Sequence, residues 1–242
     1  AGGPGGAAAA AEARGRAVVQ RAIEAHGGLK AWEGMQDASF DTTWTHYRAG
    51  RRSFSTRYRI KFPTSGPMRA IIEGEENGKP VLMGVSGSRS WFLVGDERRE
   101  DLESLKANRA FVRWAYALLA LPFRLDDPSY RFVHDGEEVR AGALVDRVRV
   151  EHGLDPPILY LFDRDSGRLA GLGSMVTDPP TFTVGEAHDL EAVEGILIPR
   201  TQVFDRVDPS TGSRTRALSV TVDDVRFRNN FPEATFQPPP VP

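Results

Sequence analysis

From Ser39 to Phe227 the chain is a succession of strand-length segments with two-residue hydrophobic periodicity, joined mostly by turn chemistry. The clearest is Arg52–Phe62, where Phe54, Tyr58, Ile60 and Phe62 fall on one face and Arg57, Arg59 and Lys61 on the other. Side chains alternate across a strand, so the aromatic face should be buried and the basic face solvated. In Ser39–Tyr47, Phe40, Trp44 and His46 point one way and Asp41, Thr43 and Thr45 the other. Further strands are expected at 68–73, 80–86, 90–94, 129–134, 144–151, 158–163, 168–176, 181–187, 196–205 and 214–222. Val225 and Phe227 continue the last one in shifted register across Asp223-Asp224, the mark of a β-bulge. The joints carry Glu-Glu-Asn-Gly-Lys, Ser-Gly-Ser, Asp155-Pro156-Pro157, Asp165-Ser166-Gly167, Asp178-Pro179-Pro180 and Asp208–Gly212. Helices are not interleaved with these strands, so parallel βαβ units are not expected.

One long helical segment interrupts the series. In Leu102–Asp127, Leu105, Val112, Ala115 and Leu119 mark one face, and Phe111, Trp114 and Leu118 widen it until Pro122 ends the helix. Its apolar run is about ten residues, too short for a bilayer, which needs ~20. A second helix is expected over about Ala8–His26, with Val19, Ala22, Ile23 and His26 on one face and Gly27-Gly28 as the stop. Leu29, Trp32 and Met35 mark a short helical piece after it, and His26 should pack at the corner. Residues 1–14 are low in complexity and read as a flexible spacer, leaving 15–242 as a single ligand-binding domain. Such a spacer suits an exported protein joined to a membrane through a processed N-terminus.

The expected fold is therefore mainly β (α+β): a single curved antiparallel sheet, an unclosed barrel of about 11 strands wrapping the central helix, with an N-terminal helix. The 242 residues can bury a core without staples, and with no cysteine there are neither disulfides nor thiolate metal sites. A net charge of −2 provides no global field to recruit nucleic acid or anionic membrane. The aromatics and basic groups of Arg52–Phe62 also lie on opposite faces and cannot form one stacking platform.

Catalytic motifs are absent. Histidines 26, 46, 134, 152 and 188 are scattered, with no HExxH. His134-Asp135 and His188-Asp189 are sequence neighbours, which a strand points to opposite faces, so neither reads as a dyad. Asp163-x-Asp165-x-Gly167 resembles a calcium loop but lacks its distal glutamate, and a hairpin turn explains it. Gly84-x-x-Gly87 has no following helix to present a phosphate site. No catalytic residue, metal or cofactor is expected.

The N-terminal AHGG, the central helix closing in LPFRLDDP, the late strand EGILIPR and the closing F-P-E-x-x-F resemble the LolA/LolB-like outer-membrane lipoprotein-sorting superfamily. The resemblance covers about residues 15–240 as a pattern of elements, and no position matches a family functional motif residue by residue. It implies an unclosed antiparallel barrel with helices as a lid over an apolar cavity, binding acyl chains without catalysis. It further implies an exported envelope protein, periplasmic or outer-membrane-associated, whose partner is an apolar small molecule, a lipid or an acylated protein. Trp44, Phe54, Tyr58, Trp91, Trp114, Leu118 and Leu119 are the residues expected to line the ligand site. The alternatives are an envelope scaffold with a solid core and a barrel-cup enzyme using His46 or His134 as acid/base.

Overall fold

The computed structural model describes residues 4–140, 142–151, 157–177, 180–208 and 210–240. Asp155-Pro156, Asp178-Pro179 and His152 lie outside the described residues. The protein is mainly β, and the chain divides into two compact units. The first holds 1–29, 46–53 and 121–219, the second 30–45, 54–120 and 220–242. Three strands run through both: β1 (Asp37–Arg48), β2 (Arg51–Pro63) and β13 (Arg214–Phe227).

In the first unit α1 (Pro4–Ala25) starts ahead of the expected Ala8 and takes in residues 4–14, read from sequence as spacer. The alanine run is the reason, because alanine has the highest helix propensity. Val18, Val19, Ala22 and Ile23 form its buried stripe, and Gly27 (φ 117°) and Gly28 (φ 84°) end it. A Cβ on Gly27 would meet the Gly195 carbonyl at 2.5 Å, so the corner requires glycine there. His26 is fully buried; its Nδ1 donates to the Ala22 carbonyl at 2.8 Å, and its own carbonyl accepts from Leu197 N–H. Burial pushes its pKa below the ordinary histidine value.

The helix rests on β7 (Arg131–Arg140) and β8 (Ala143–Glu151). A Cβ on Gly15 would lie 2.9 Å from the His134 amide nitrogen, so α1 approaches β7 backbone to backbone. Then follow β9 (Ile158–Asp163), β10 (Leu169–Thr177), β11 (Pro180–Val193) and β12 (Ile196–Val207), each antiparallel to the next. The Asp163–Gly167 segment is the expected hairpin turn: the Asp163 carboxylate accepts from both the amide and the hydroxyl of Ser166.

In the second unit α2 (Leu29–Glu33) seats Trp32 against Phe62 and Phe227. Strands β2, β3 (Arg69–Glu76), β4 (Lys79–Ser86), β5 (Arg89–Val94) and β6 (Glu97–Arg98) form an antiparallel meander, and α3 (Leu102–Leu119) packs on β3, β4 and β5. Asp101 caps α3 by accepting the Ser104 amide at 2.8 Å. After β13 the buried Asp37 carboxylate gathers the amides of Asn229 and Phe231. A short 3-10 turn, Glu233–Phe236, follows. The burial of Phe236 against Ile71 and Trp91 explains the turn.

The hydrogen-bonded strand order is β6-β5-β4-β3-β2-β1-β13-β12-β11-β10-β9-β8-β7, so the sheet is unclosed, with β6 and β7 at its ends. Thirteen strands replace the expected eleven or so; β6, only two residues long, has no alternation to read. Along β13 burial slips phase between Val222 and Val225, as expected across Asp223-Asp224. The reading of β2 needs one correction. Ile60 and Phe62 are buried and Arg57 and Arg59 exposed, but Tyr58 and Lys61 are half-buried and Phe54 is 56% exposed. Alternation tells which side chains share a face; it does not tell how far along a strand that face is covered. Residues 51–55 are exposed on both faces.

Two cross-strand pairs set aromatic rings over glycines. Trp91 lies across Gly84, where a Cβ would come within 2.1 Å of the indole, and Tyr58 lies across Gly74 at 2.5 Å. Replacing Gly84 with alanine gains ~0.5–1 kcal/mol of backbone entropy but displaces Trp91, an overpacking cost of ~1–3 kcal/mol. Urea unfolding of Gly84→Ala should show net destabilisation; a stabilised variant would contradict this seating of Trp91.

Candidate functional site

The most concentrated apolar feature of the second unit is an aromatic cluster shared by β1, β2 and α3. Trp44 on β1 is fully buried and meets Tyr58 at 5.9 Å, Phe111 at 5.1 Å and Trp114 at 5.2 Å between ring centroids. Tyr58 meets Phe111 at 5.6 Å, and all four contacts are edge-on, the arrangement ring quadrupoles favour. Phe111 and Trp114 lie three residues apart and so share a face of α3. The Trp44 Nε1–H donates to Thr42 Oγ1 at 2.9 Å, and that hydroxyl donates to the Tyr58 carbonyl at 3.1 Å, which satisfies the only polar atom of the buried indole. Tyr58, Phe111 and Trp114 are half-buried, so the cluster has a sealed end and an accessible one. Burial raises the Tyr58 pKa, keeping the phenol neutral.

Of the residues expected to line a ligand site, the structure gathers Trp44, Tyr58 and Trp114 here and adds Phe111. Leu118 and Leu119 are buried further along the same helix. Trp91 belongs to a different cluster with Ile71 and Phe236, while its carbonyl accepts from the Asn108 amide of α3 at 2.9 Å. Phe54, exposed, is not among the four rings. Phe111 was legible only as part of the helix face, since its partners come from strands more than fifty residues away.

The opposite face of β1 and β2 is polar. A depression of about 470 Å³ is lined by Asp41, Arg57, Arg59 and Asp223 of that face together with Thr42 and Tyr58 at the edge of the cluster. Arg59 clasps Asp41 with two hydrogen bonds, 2.6 and 2.8 Å, which hold the Asp41 carboxyl below its ordinary range. These opposed charges balance and leave little net field.

The two histidines considered as acid/base differ in setting. His46 is half-buried, with its pKa lowered by burial. His134, in the first unit, bonds through Nε2 to Asp146 Oδ1 at 3.0 Å rather than to its neighbour Asp135. His134 faces Val148, two residues from Asp146 on the same face of β8, and a bulge with Gly136 at φ 90° then sets Glu137 opposite Asp146. No residue spacing announces that Glu137 joins this pair, because that depends on a register shift. The ligand atoms of His134, Glu137 and Asp146 lie within 4.8 Å of one another, as a metal site would require. Arg14, Arg21 and Arg164 already pair with these carboxylates, so a cation would have to displace guanidinium charge, and the chemistry fits a metal poorly.

No family model matches the chain, and no curated protein matches it in sequence. Solved structures do match over nearly its whole length. A LolA superfamily protein from Nitrosomonas europaea superposes with a TM-score of 0.61 at 11% identity, covering 93% of this chain and 97% of its own. The chain has a LolA-like fold. A DUF1329 family protein from Desulfovibrio piger shares this LolA-like fold, with a TM-score of 0.60 at 14% identity, covering 92% of this chain and 97% of its own. So does a domain from Vibrio parahaemolyticus assigned to outer membrane lipoprotein sorting, with a TM-score of 0.55 at 14% identity, covering 90% and 97%. In the LolA-like fold of this chain, the aromatic cluster sits between the central helix and strands β1 and β2.

The cluster's two ends should respond differently to truncation. Trp44→Ala removes a sealed indole and should cost ~3–5 kcal/mol. Trp114→Ala, at the accessible end, should cost less than half as much by urea unfolding. Equal losses would mean that the cluster is sealed throughout.

Proposed function

We propose that this protein is a non-enzymatic component of the bacterial cell envelope that binds an apolar ligand, a lipid or the acyl chain of a lipoprotein, against the aromatic cluster beneath α3. The observation that carries the reading is the cluster itself: Tyr58, Phe111 and Trp114 keep partly accessible ring surface beside the buried Trp44. A methylene chain laid on such rings gains ~0.8 kcal/mol per buried CH2. It needs no polar recognition, and the cluster offers almost none. The LolA-like fold supports the same reading, since the Vibrio parahaemolyticus domain that shares it is assigned to outer membrane lipoprotein sorting. Membrane association, in this reading, comes through acylated partners, in a periplasmic or outer-membrane setting. Among the described residues no helix is long and apolar enough to cross a membrane.

The scaffold alternative has one observation in its favour: Leu118 and Leu119, also expected to line the site, are 2% and 3% exposed. A fluorescent fatty acid titrated into the protein separates the two. Saturable binding that Trp114→Ala weakens about tenfold, equivalent to ~1.4 kcal/mol, supports the carrier. If the parent protein binds no fatty acid, and Leu118→Trp costs the ~1–3 kcal/mol of an overpacked solid core, the scaffold reading replaces it.

A further inference from the structure

A second site lies in the first unit and is independent of the apolar ligand proposed above. Between α1 and the turn that follows β9 is a cavity of about 340 Å³ lined by Arg14, Ala17, Val18, Arg21, Asp146 and Arg164. Three guanidiniums thus meet one carboxylate in its wall, unlike the balanced depression on β1 and β2. Behind the wall stand Glu137 and His134, so the charged groups are three cations, two carboxylates and one titratable imidazole.

The carboxylates hold the arginines in place. Asp146 has a side chain only 3% exposed; its Oδ2 accepts from Arg21 Nη2 at 2.9 Å and its Oδ1 from His134 Nε2 at 3.0 Å. Glu137 accepts from Arg14 and, at 2.7 Å through its other oxygen, from Arg164 Nη1. Burial alone would raise the Asp146 pKa, but the bonds from His134 and Arg21 outweigh it and keep the carboxyl ionised. Each guanidinium has five N–H donors in a rigid fork, and one terminal nitrogen of each binds a carboxylate. The arginine side chains are 49%, 46% and 41% exposed, so the remaining donors are accessible. Converging arginines whose forks are fixed in advance match the planar, multidentate demand of a phosphate group.

We propose that this cavity binds a phosphate-bearing anion, with Arg14, Arg21 and Arg164 as its ligands and Asp146 and Glu137 as positioning residues. The same chemistry could come from a phospholipid headgroup or from a free phosphate, and the test separates them. The full chain is titrated with inorganic phosphate by calorimetry at constant ionic strength, and is sedimented with phosphatidylglycerol vesicles and with phosphatidylcholine vesicles. The parent, Arg14→Ala, Arg164→Ala and the control Arg57→Ala, in the second unit, are compared, with circular dichroism confirming that each is folded. Arg164 sits on a surface turn, so its variant keeps the test valid if Arg14→Ala loosens α1. The expected result is saturable binding that falls about tenfold or more in Arg14→Ala and Arg164→Ala and changes less than twofold in Arg57→Ala. Loss of phosphate binding without any vesicle binding identifies a soluble anion; loss of phosphatidylglycerol binding identifies a headgroup. If the parent binds neither probe, or if folded Arg164→Ala binds both as well as the parent does, the proposal is overturned.

Discussion

The packing of Trp44 against α3 is the constraint on which the second unit depends. A helix on a sheet can slide or rotate unless something fixes its register, and most apolar contacts are too alike to do so. Here Phe111 and Trp114 meet Trp44 edge-on, and the indole N–H is tied through Thr42 to the carbonyl of Tyr58. Asn108 adds a directional bond to the Trp91 carbonyl on β5. The helix is therefore anchored by polar and ring geometry at two places, and Val112, Ala115, Leu118 and Leu119 fill space. That anchoring leaves Tyr58, Phe111 and Trp114 half-buried, the surface on which the proposed ligand would rest.

The first unit solves the same problem by other means. α1 buries Val18, Val19, Ala22 and Ile23 toward its C-terminal end, while its middle is held by close backbone approach at Gly15 and by ion pairs. Exposed ion pairs are worth ~0–1 kcal/mol each, so the apolar stripe carries most of the docking and the arginines orient it. Arginine bonds left over from orienting a helix are available for other partners, whereas the rings of the second unit offer only surface. The two units thus present different chemistries from one sheet order.

Much of this was legible in the sequence, for reasons that can be stated residue by residue. Period-two alternation locates strands because a half-covered sheet imposes it, and Ile60 and Phe62 obey it fully. Pro122 and the glycines after Ala25 mark helix ends by backbone chemistry alone. The features that escaped depend on contacts distant in sequence. Phe54 obeys the alternation yet lies beyond the covered part of its strand. Phe236, in the closing F-P-E-x-x-F, is buried beside Ile71 and Trp91, far from it in sequence. Glu137 comes opposite Asp146 only because a bulge shifts the register of β7 against β8. Of the expected site, the rings that share α3, β1 and β2 came together, while Trp91, on β5 three strand pairings beyond β2, went to another cluster. The neighbour relation of β1 and β13 likewise has no local signal, since nearly the whole chain separates them.

Whether this LolA-like fold carries an apolar ligand, as proposed, can be tested with no assumption about which one. Protein produced by export into a bacterial envelope and purified without detergent is examined by native mass spectrometry, and its organic extract is analysed for lipid. A fraction of the protein should carry an adduct with the mass of a lipid or acyl chain, and that adduct should be lost on denaturation and recovered in the extract. Bare chain alone, with no lipid in the extract, would contradict the account.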